Sequence, residues 1–288
     1  RVFLGKKDGF VSTNDLSKPG LLFALSQALG MLGLQIGKNN KSNFEGLKDL
    51  NDFGRNKNKW LDDSPDLKES TNKLLDSTNI LSSKSNNLDV RRASYSRNWQ
   101  EVLVAASDGV FARDIRLHQT VGLNVIAING KNRSTSARRY GSSGNPNDLR
   151  NWDINQSAIE LNESAQKMLY AEYVEAGQMP VVLANKFGGV IFHEACGHLL
   201  ETTQLERGTS PFHDKVNQQI AHKAVTAVDE GLTNHAFGSL SMDDEGMEPQ
   251  NTLLIDNGIL KKFLSDRAGS IRTGHPRTGS GRRQNFSF

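Results

Sequence analysis

The amino-acid sequence predicts an α+β protein. A helix–sheet N-terminal part occupies residues 1–175, with a polar connector at 36–90. A β-rich part follows from 176 to 288 and carries a helix bearing a His-Glu-x-x-x-His motif. Three observations predict this. Apolar residues recur at helical spacing through 153–176, at Ile159, Leu161, Ala165, Met168, Leu169 and Tyr173. Between 100 and 135, β-prone runs alternate with turn residues. Two further apolar runs flank Asp256-Asn257-Gly258, where Asn and Gly tolerate the positive φ of a tight hairpin turn.

Residues 1–35 read as a strand or turn followed by a helix. The apolar stretch LLFALSQALGMLGLQIG from Leu21 is interrupted by Ser, Gln and Gly. It is expected to be a buried helix, since a membrane span needs about 20 predominantly apolar residues. Residues 36–90 are rich in Asn, Lys, Ser and Asp, with short apolar pairs such as Leu74 and Leu75. They read as a mostly helical polar connector, with plain disorder as the alternative. Strands are expected at 101–106, 110–118 and 121–128, with a turn at Ser107-Asp108-Gly109 and a hairpin closed by Asn129-Gly130. Residues 133–147, rich in Gly, Ser and Arg, read as a surface loop. The helix of 153–176 is expected to end at Gly177, ahead of Pro180. A short buried strand at 181–184 and a turn at 186–189 then lead into the motif helix, and no internal repeat stands out.

The motif is His193-Glu194-Ala195-Cys196-Gly197-His198. Neutral imidazole is a good zinc ligand, and catalytic zinc sites use three protein ligands plus a water. The metal brings the pKa of that water to about 7. A neighbouring carboxylate can take its proton and return it to a leaving amine. The familiar spacing places two histidines four apart, about 40° around a helix. His193 and His198 are five apart, about 140° by the same geometry. A shared metal therefore requires a local π-type turn that adds one residue, and Gly197 is the residue best suited to absorb it. Two histidines satisfied by ordinary hydrogen bonds on a packed helix remain the bland alternative.

Other residues have competing readings. Cys196 is a possible ligand or a small buried hydrophobe. Glu201, three residues beyond His198, shares its helix face and is a second candidate ligand. His213, His222 and His235 read as surface or loop histidines. The acidic turn Asp243-Asp244-Glu245-Gly246 could touch substrate, support the metal site or simply be solvated. Residues 207–212 could shape a cleft or pack, and Arg282-Arg283 could meet a peptide carboxylate or stay unengaged. Strands beside 256–258 could offer an edge to an extended peptide.

Bulk composition narrows the function classes. Hydrophobic residues make up 36% and charged residues 23% of 288, compatible with a folded core. The 35 basic and 32 acidic side chains are too balanced to argue for direct nucleic-acid contact. A single cysteine excludes an internal disulfide framework and fits a reducing compartment. The opening RVFLGKKDGF lacks the apolar core of a signal peptide. The first residue is Arg1 and the last segment, QNFSF, closes no element, so an incomplete chain is expected.

FHEACGHLLE, preceded by Gly188-Gly189, resembles the HExxxH motif of the TldD/PmbA family of metallopeptidases, on the TldD side. Further segments resemble the family in the same order: 102–114, 176–183, 208–212, 241–246, 254–264 and 278–283. The likeness is weakest in 36–90. It implies a zinc-dependent peptidase for small or unfolded peptides in the cytoplasm, with His193 and His198 as metal ligands and Glu194 as general base and acid. It further implies a substrate bound as an extended strand, and a PmbA/TldE-like paralogue or a second copy as partner. No membrane or direct nucleic-acid partner is expected. The family takes its third ligand from a cysteine nearer the C-terminus; no cysteine follows Cys196, so that ligand is expected beyond residue 288. The alternative is a non-catalytic interaction or regulatory subunit, of the gyrase-modulator type, in which the motif is structural.

Overall fold

The computed structural model describes residues 1–37, 48–49, 67–84, 87–143, 152–232 and 236–283. Its centre is an antiparallel meander of three long strands, β4 (Leu88–Ala105), β5 (Phe111–Asn129) and β6 (Asn132–Ser143). β5 pairs with β4 along one edge. Along the other it pairs with β6 and, further back, with the short parallel strand β3 (Lys48–Asp49). Leu117, Gln119, Val121, Leu123, Val125 and Ala127 alternate inward along β5, the period-two pattern of a sheet with one covered face. Helices α2 (Leu67–Lys84) and α3 (Ile154–Leu169) supply the cover, with Leu81, Ala158, Leu161 and Ala165 fully buried against the sheet. Asp153 caps α3 by accepting from Gln156 N–H at 2.8 Å.

The N-terminal hairpin β1 (Val2–Leu4) and β2 (Lys7–Gly9) leads into α1 (Lys18–Gly30), capped by Ser17 and started by Pro19. After α3 comes an irregular stretch, and then the motif helix. A 3₁₀ turn (Lys186–Gly189) leads to one α turn, α4 (Val190–Phe192). A π turn (His193–Gly197) and a second 3₁₀ turn (His198–Leu200) follow. α5 (Thr202–Glu206), β7 (Ala227–Glu230), β8 (Asn251–Asp256), β9 (Ile259–Leu260) and α6 (Arg267–Thr273) complete the described elements. The β7-β8-β9 sheet turns at Asn257 and Gly258, both at positive φ as the hairpin reading required. A second core forms from Leu200, Leu205, Leu254, Ile255, Leu260 and Phe263, directly behind the motif helix.

The mixed α+β class stands, but several local expectations do not. The expected strands at 110–118 and 121–128 are one continuous β5, because Gln119 and Thr120 fit the alternation without a break. The strand before the turn starts at Leu88, well ahead of 101. The expected loop at 133–147 is β6 as far as Ser143: polar residues suit an edge strand whose outer face meets water, and Ser134 Oγ donates to Ala165 O at 2.7 Å. Residues 144–147 lie outside the described residues, as does much of the 36–90 connector. α3 stops at Leu169 rather than near 177, and Tyr173, Val174 and 181–183 are exposed and without regular structure. α1 was expected to be buried, yet Leu21, Leu22, Phe23 and Leu25 are exposed and only Ala28 is covered. Its apolar residues run around the whole helix, and the described residues cover one stripe of it.

Several contacts tie the central sheet to the motif-bearing part, two of them at the acidic turn. Gly246, at φ +76°, sits where a Cβ would lie 2.5 Å from Val110 Cγ1. Arg116 of β5 reaches the acidic turn: Nη1 meets Asp244 Oδ1 at 2.5 Å and Nη2 donates to Met242 O at 3.0 Å.

Candidate metal centre

His193, Glu194 and His198 are brought together. The π turn that spans His193–Gly197 adds the extra residue that five-residue spacing demands. The two imidazole centroids lie 4.4 Å apart, and one ligand atom from each of the three side chains falls within 4.8 Å of the others. His198 Nε2 faces Glu194 Oε2 at 3.9 Å. The cluster opens to solvent on one side, with Glu194 well exposed and His198 half-buried. Two imidazoles and a carboxylate that converge from one turn are a donor set that suits zinc, so the residues present fit the metal.

The turn is not made possible by glycine's backbone freedom. Gly197 has φ −54° and ψ −53°, ordinary helical values that any residue adopts. A Cβ there would meet Phe192 O at 3.8 Å and His193 Nδ1 at 3.9 Å, ordinary contacts. What fixes the segment is its exit. Leu200 is fully buried in the second core, and Leu264 clips the chain on both sides of Glu201: Leu264 N–H donates to Leu200 O and Thr202 N–H to Leu264 O, each at 2.8 Å. α6 then packs onto Thr202 through Gly269, where a Cβ would overlap Thr202 Oγ1.

The remaining candidates separate clearly. Cys196 packs against the second core, and burial pushes its thiol up, which suits a small hydrophobe. Glu201 does not join the three-residue cluster; its Oε1 lies 2.8 Å from His198 Nδ1, on the other side of that ring. His213 and His275 line a cavity of about 600 Å³ with Lys6, Leu205, Glu206, Arg272 and Thr273. Burial and the nearby His213 hold His275 below the usual imidazole range. His222 Nδ1 accepts from Ala224 N–H at 3.2 Å, and His235 lies outside the described residues.

The acidic turn is not a solvated loop. Asp243 is 1% exposed; its Oδ1 accepts from the N–H groups of Glu245 and Met247 at 2.9 Å, and its Oδ2 from Gly281 N–H at 3.0 Å. Asp244 Oδ2 accepts from Arg283 N–H at 2.7 Å, so the backbone of the 281–283 segment closes on the turn. Burial pushes Glu245 up, although Arg267 N–H and Arg277 hydrogen-bond to it. Ser210 and Phe212 pack instead of shaping a cleft: Ser210 Oγ donates to Leu199 O at 2.6 Å, and Phe212 rests on the second core. The edges beside 256–258 are taken, since β8 lies between β7 and β9, and β9 is covered by Asn217, Gln218 and Gln219.

Residues 176–288 match the PmbA/TldA metallopeptidase C-terminal domain and residues 60–169 match the central domain of the same family. A metalloprotease TldD homolog of Buchnera aphidicola (subspecies Acyrthosiphon pisum) is 32% identical over 227 residues, covering 76% of this chain and 47% of the relative. A metalloprotease TldD homolog of Haemophilus influenzae is 34% identical over 200 residues, covering 68% and 42%. A zinc metalloprotease TldD homolog of Saccharolobus solfataricus is 35% identical over 136 residues, covering 47% and 30%. The chain thus spans about half the length of the Buchnera and Haemophilus relatives. In fold it is similar to a candidate modulator of a DNA gyrase from Thermotoga maritima (TM-score 0.71, 16% identity, 96% of this chain and 61% of the other). It is also similar to TldE from Thermococcus kodakarensis (TM-score 0.58, 22% identity, 75% and 48%). With two of the family's domains matched in order and the His-Glu-x-x-x-His turn inside the second, the chain belongs to the PmbA/TldD family of metallopeptidases.

Proposed function

We propose that the protein is the zinc-bearing subunit of a peptidase that hydrolyses small or unfolded peptides in the cytoplasm, with His193 and His198 as metal ligands and Glu194 as general base and then acid. The observation that carries this reading is the convergence of the three side chains within 4.8 Å on a π turn. The zinc named for the Saccharolobus relative points the same way. Zinc bound there supplies a Lewis acid and a water that ionises near neutral pH. His193 and His198 would hold it, one ring nitrogen from each. Glu194 stands beside the site and is open to solvent, so its carboxylate can take a proton from water and hand it to the departing amine. The third ligand we assign to the cysteine that the family carries nearer its C-terminus.

The partner we propose is a PmbA/TldE-like paralogue or a second copy of the chain, on the strength of the fold shared with TldE. Among the described residues no helix is long and apolar enough to cross a membrane. The test is Glu194→Gln in the full-length protein with its partner. Peptide cleavage is expected to vanish while zinc content stays unchanged. Cleavage that survives the substitution would remove the general-base role and favour a non-catalytic interaction subunit.

A further inference from the structure

We infer that Glu201 is a positioning residue that decides which nitrogen of His198 faces the metal. The inference deepens the zinc reading above and rests on it, although its first readout needs no metal. His198 presents its two nitrogens to two different carboxylates. Nδ1 lies 2.8 Å from Glu201 Oε1, hydrogen-bond distance; Nε2 faces Glu194 Oε2 at 3.9 Å, inside the three-residue cluster. An ionised carboxylate only accepts, so the bond to Glu201 places the proton on Nδ1. The Nε2 lone pair is then left on the side of Glu194, whose Oε2 lies 3.9 Å away. An imidazole without such a partner shares its proton between both nitrogens and turns about its last torsion, and each freedom must be lost when a metal binds.

Glu201 can hold the ring because its own backbone is held. The motif helix ends at this residue, at φ −87° and ψ 138°, and its N–H donates to His198 O at 3.2 Å. The hydrogen bonds of Leu200 and Thr202 to Leu264 lie on either side, and Leu200 and Phe263 anchor them in the second core. The chain of support therefore runs from a hydrophobic core, through a two-bond clip, to a carboxylate and then to one ring nitrogen. Glu201 as a ligand is disfavoured by the same geometry, since its carboxylate approaches the ring from the nitrogen that points away from the cluster.

The experiment uses the full-length protein, labelled with ¹⁵N-histidine and metal-free, at a pH where imidazoles are neutral. Long-range ¹H–¹⁵N spectra report the tautomer of each ring, and His198→Gln identifies the resonances. Wild type is expected to show His198 protonated on Nδ1. Glu201→Ala should revert to a mixture, and Glu201→Gln, whose amide can donate or accept, should lose the fixed tautomer while keeping the residue's size. Zinc affinity, read by chelator competition, should fall roughly 10–100-fold in Glu201→Ala. Should Glu201→Ala fail to fold by circular dichroism, Glu201→Gln decides. A wild-type His198 protonated on Nε2, or a tautomer and affinity unchanged in the folded variants, overturns the inference. A wild type that binds no zinc would overturn the zinc reading instead, and the metal-free tautomer would still decide the role of Glu201.

Discussion

Replacing Arg116 by Met should cost stability without touching the metal site. The Arg116 side chain is 5% exposed, between Asp114 at 0% and Asp244 at 13%. It contacts Asp244 at 2.5 Å and Asp114 at 3.5 Å, and it donates to Met242 O. Methionine fills most of the volume but leaves both carboxylates without the guanidinium. Removal of one partner from a buried ion pair costs about 3–5 kcal/mol. The lower end applies, because Asp244 keeps the Arg283 N–H and lies nearer water, so Asp114 bears most of the loss. Adding Asp114→Asn should recover part of it by removing the buried charge that faced the guanidinium. Urea unfolding followed by tryptophan fluorescence, with zinc affinity measured in parallel, reads both quantities. A loss below about 1 kcal/mol would make this a surface-type pair and refute the clamp. A parallel fall in zinc affinity would return the acidic turn to the metal site.

Three further outcomes are expected. Gly197→Ala should keep zinc affinity and raise the melting temperature slightly, since the backbone is helical, the added Cβ has room, and alanine favours a helix over glycine by about 1 kcal/mol; an affinity loss would show that glycine's freedom matters after all. Gly258→Ala should destabilise by about 1–3 kcal/mol from the backbone alone, with a further clash against Ala221 O 2.4 Å from the new Cβ, as read by chemical denaturation. Burial raises the Asp8 carboxyl, but hydrogen bonds and charge from Arg1 and Arg272 outweigh it and hold the group below the usual carboxylate range. The ionised form is thus favoured on folding. The stability gap between wild type and Asp8→Asn should stay constant above about pH 5, then close as pH falls below about 4 through the depressed folded value. A gap that widens in acid would reverse the assignment.

The chemistry was more legible in the sequence than the packing. Five-residue spacing between His193 and His198 forces a choice between a distorted helix and no shared ligand, and the structure takes the distorted helix. Asn257-Gly258 announced its turn for the same kind of local reason. What distant residues decide was harder to read. The clip of Leu264 on Glu201 joins residues far apart in the chain, and no spacing rule links Arg116 to Asp244. The 3.6-residue period in α3 found Leu161, Ala165 and Leu169 on its inner face but took in the exposed Met168 and overran the end, because Tyr173 continues the pattern into exposed chain. Polar β6 misled for a related reason: an edge strand needs one covered face, and serines that bond to α3 serve as well as apolar residues there.

The most direct test is X-ray absorption at the zinc edge on the metal-loaded protein, compared among wild type, His193→Ala and His198→Ala. Two imidazole scatterers at about 2.0–2.1 Å in wild type, one in each variant, is the result the π-turn site predicts. An imidazole count that neither substitution changes would contradict it.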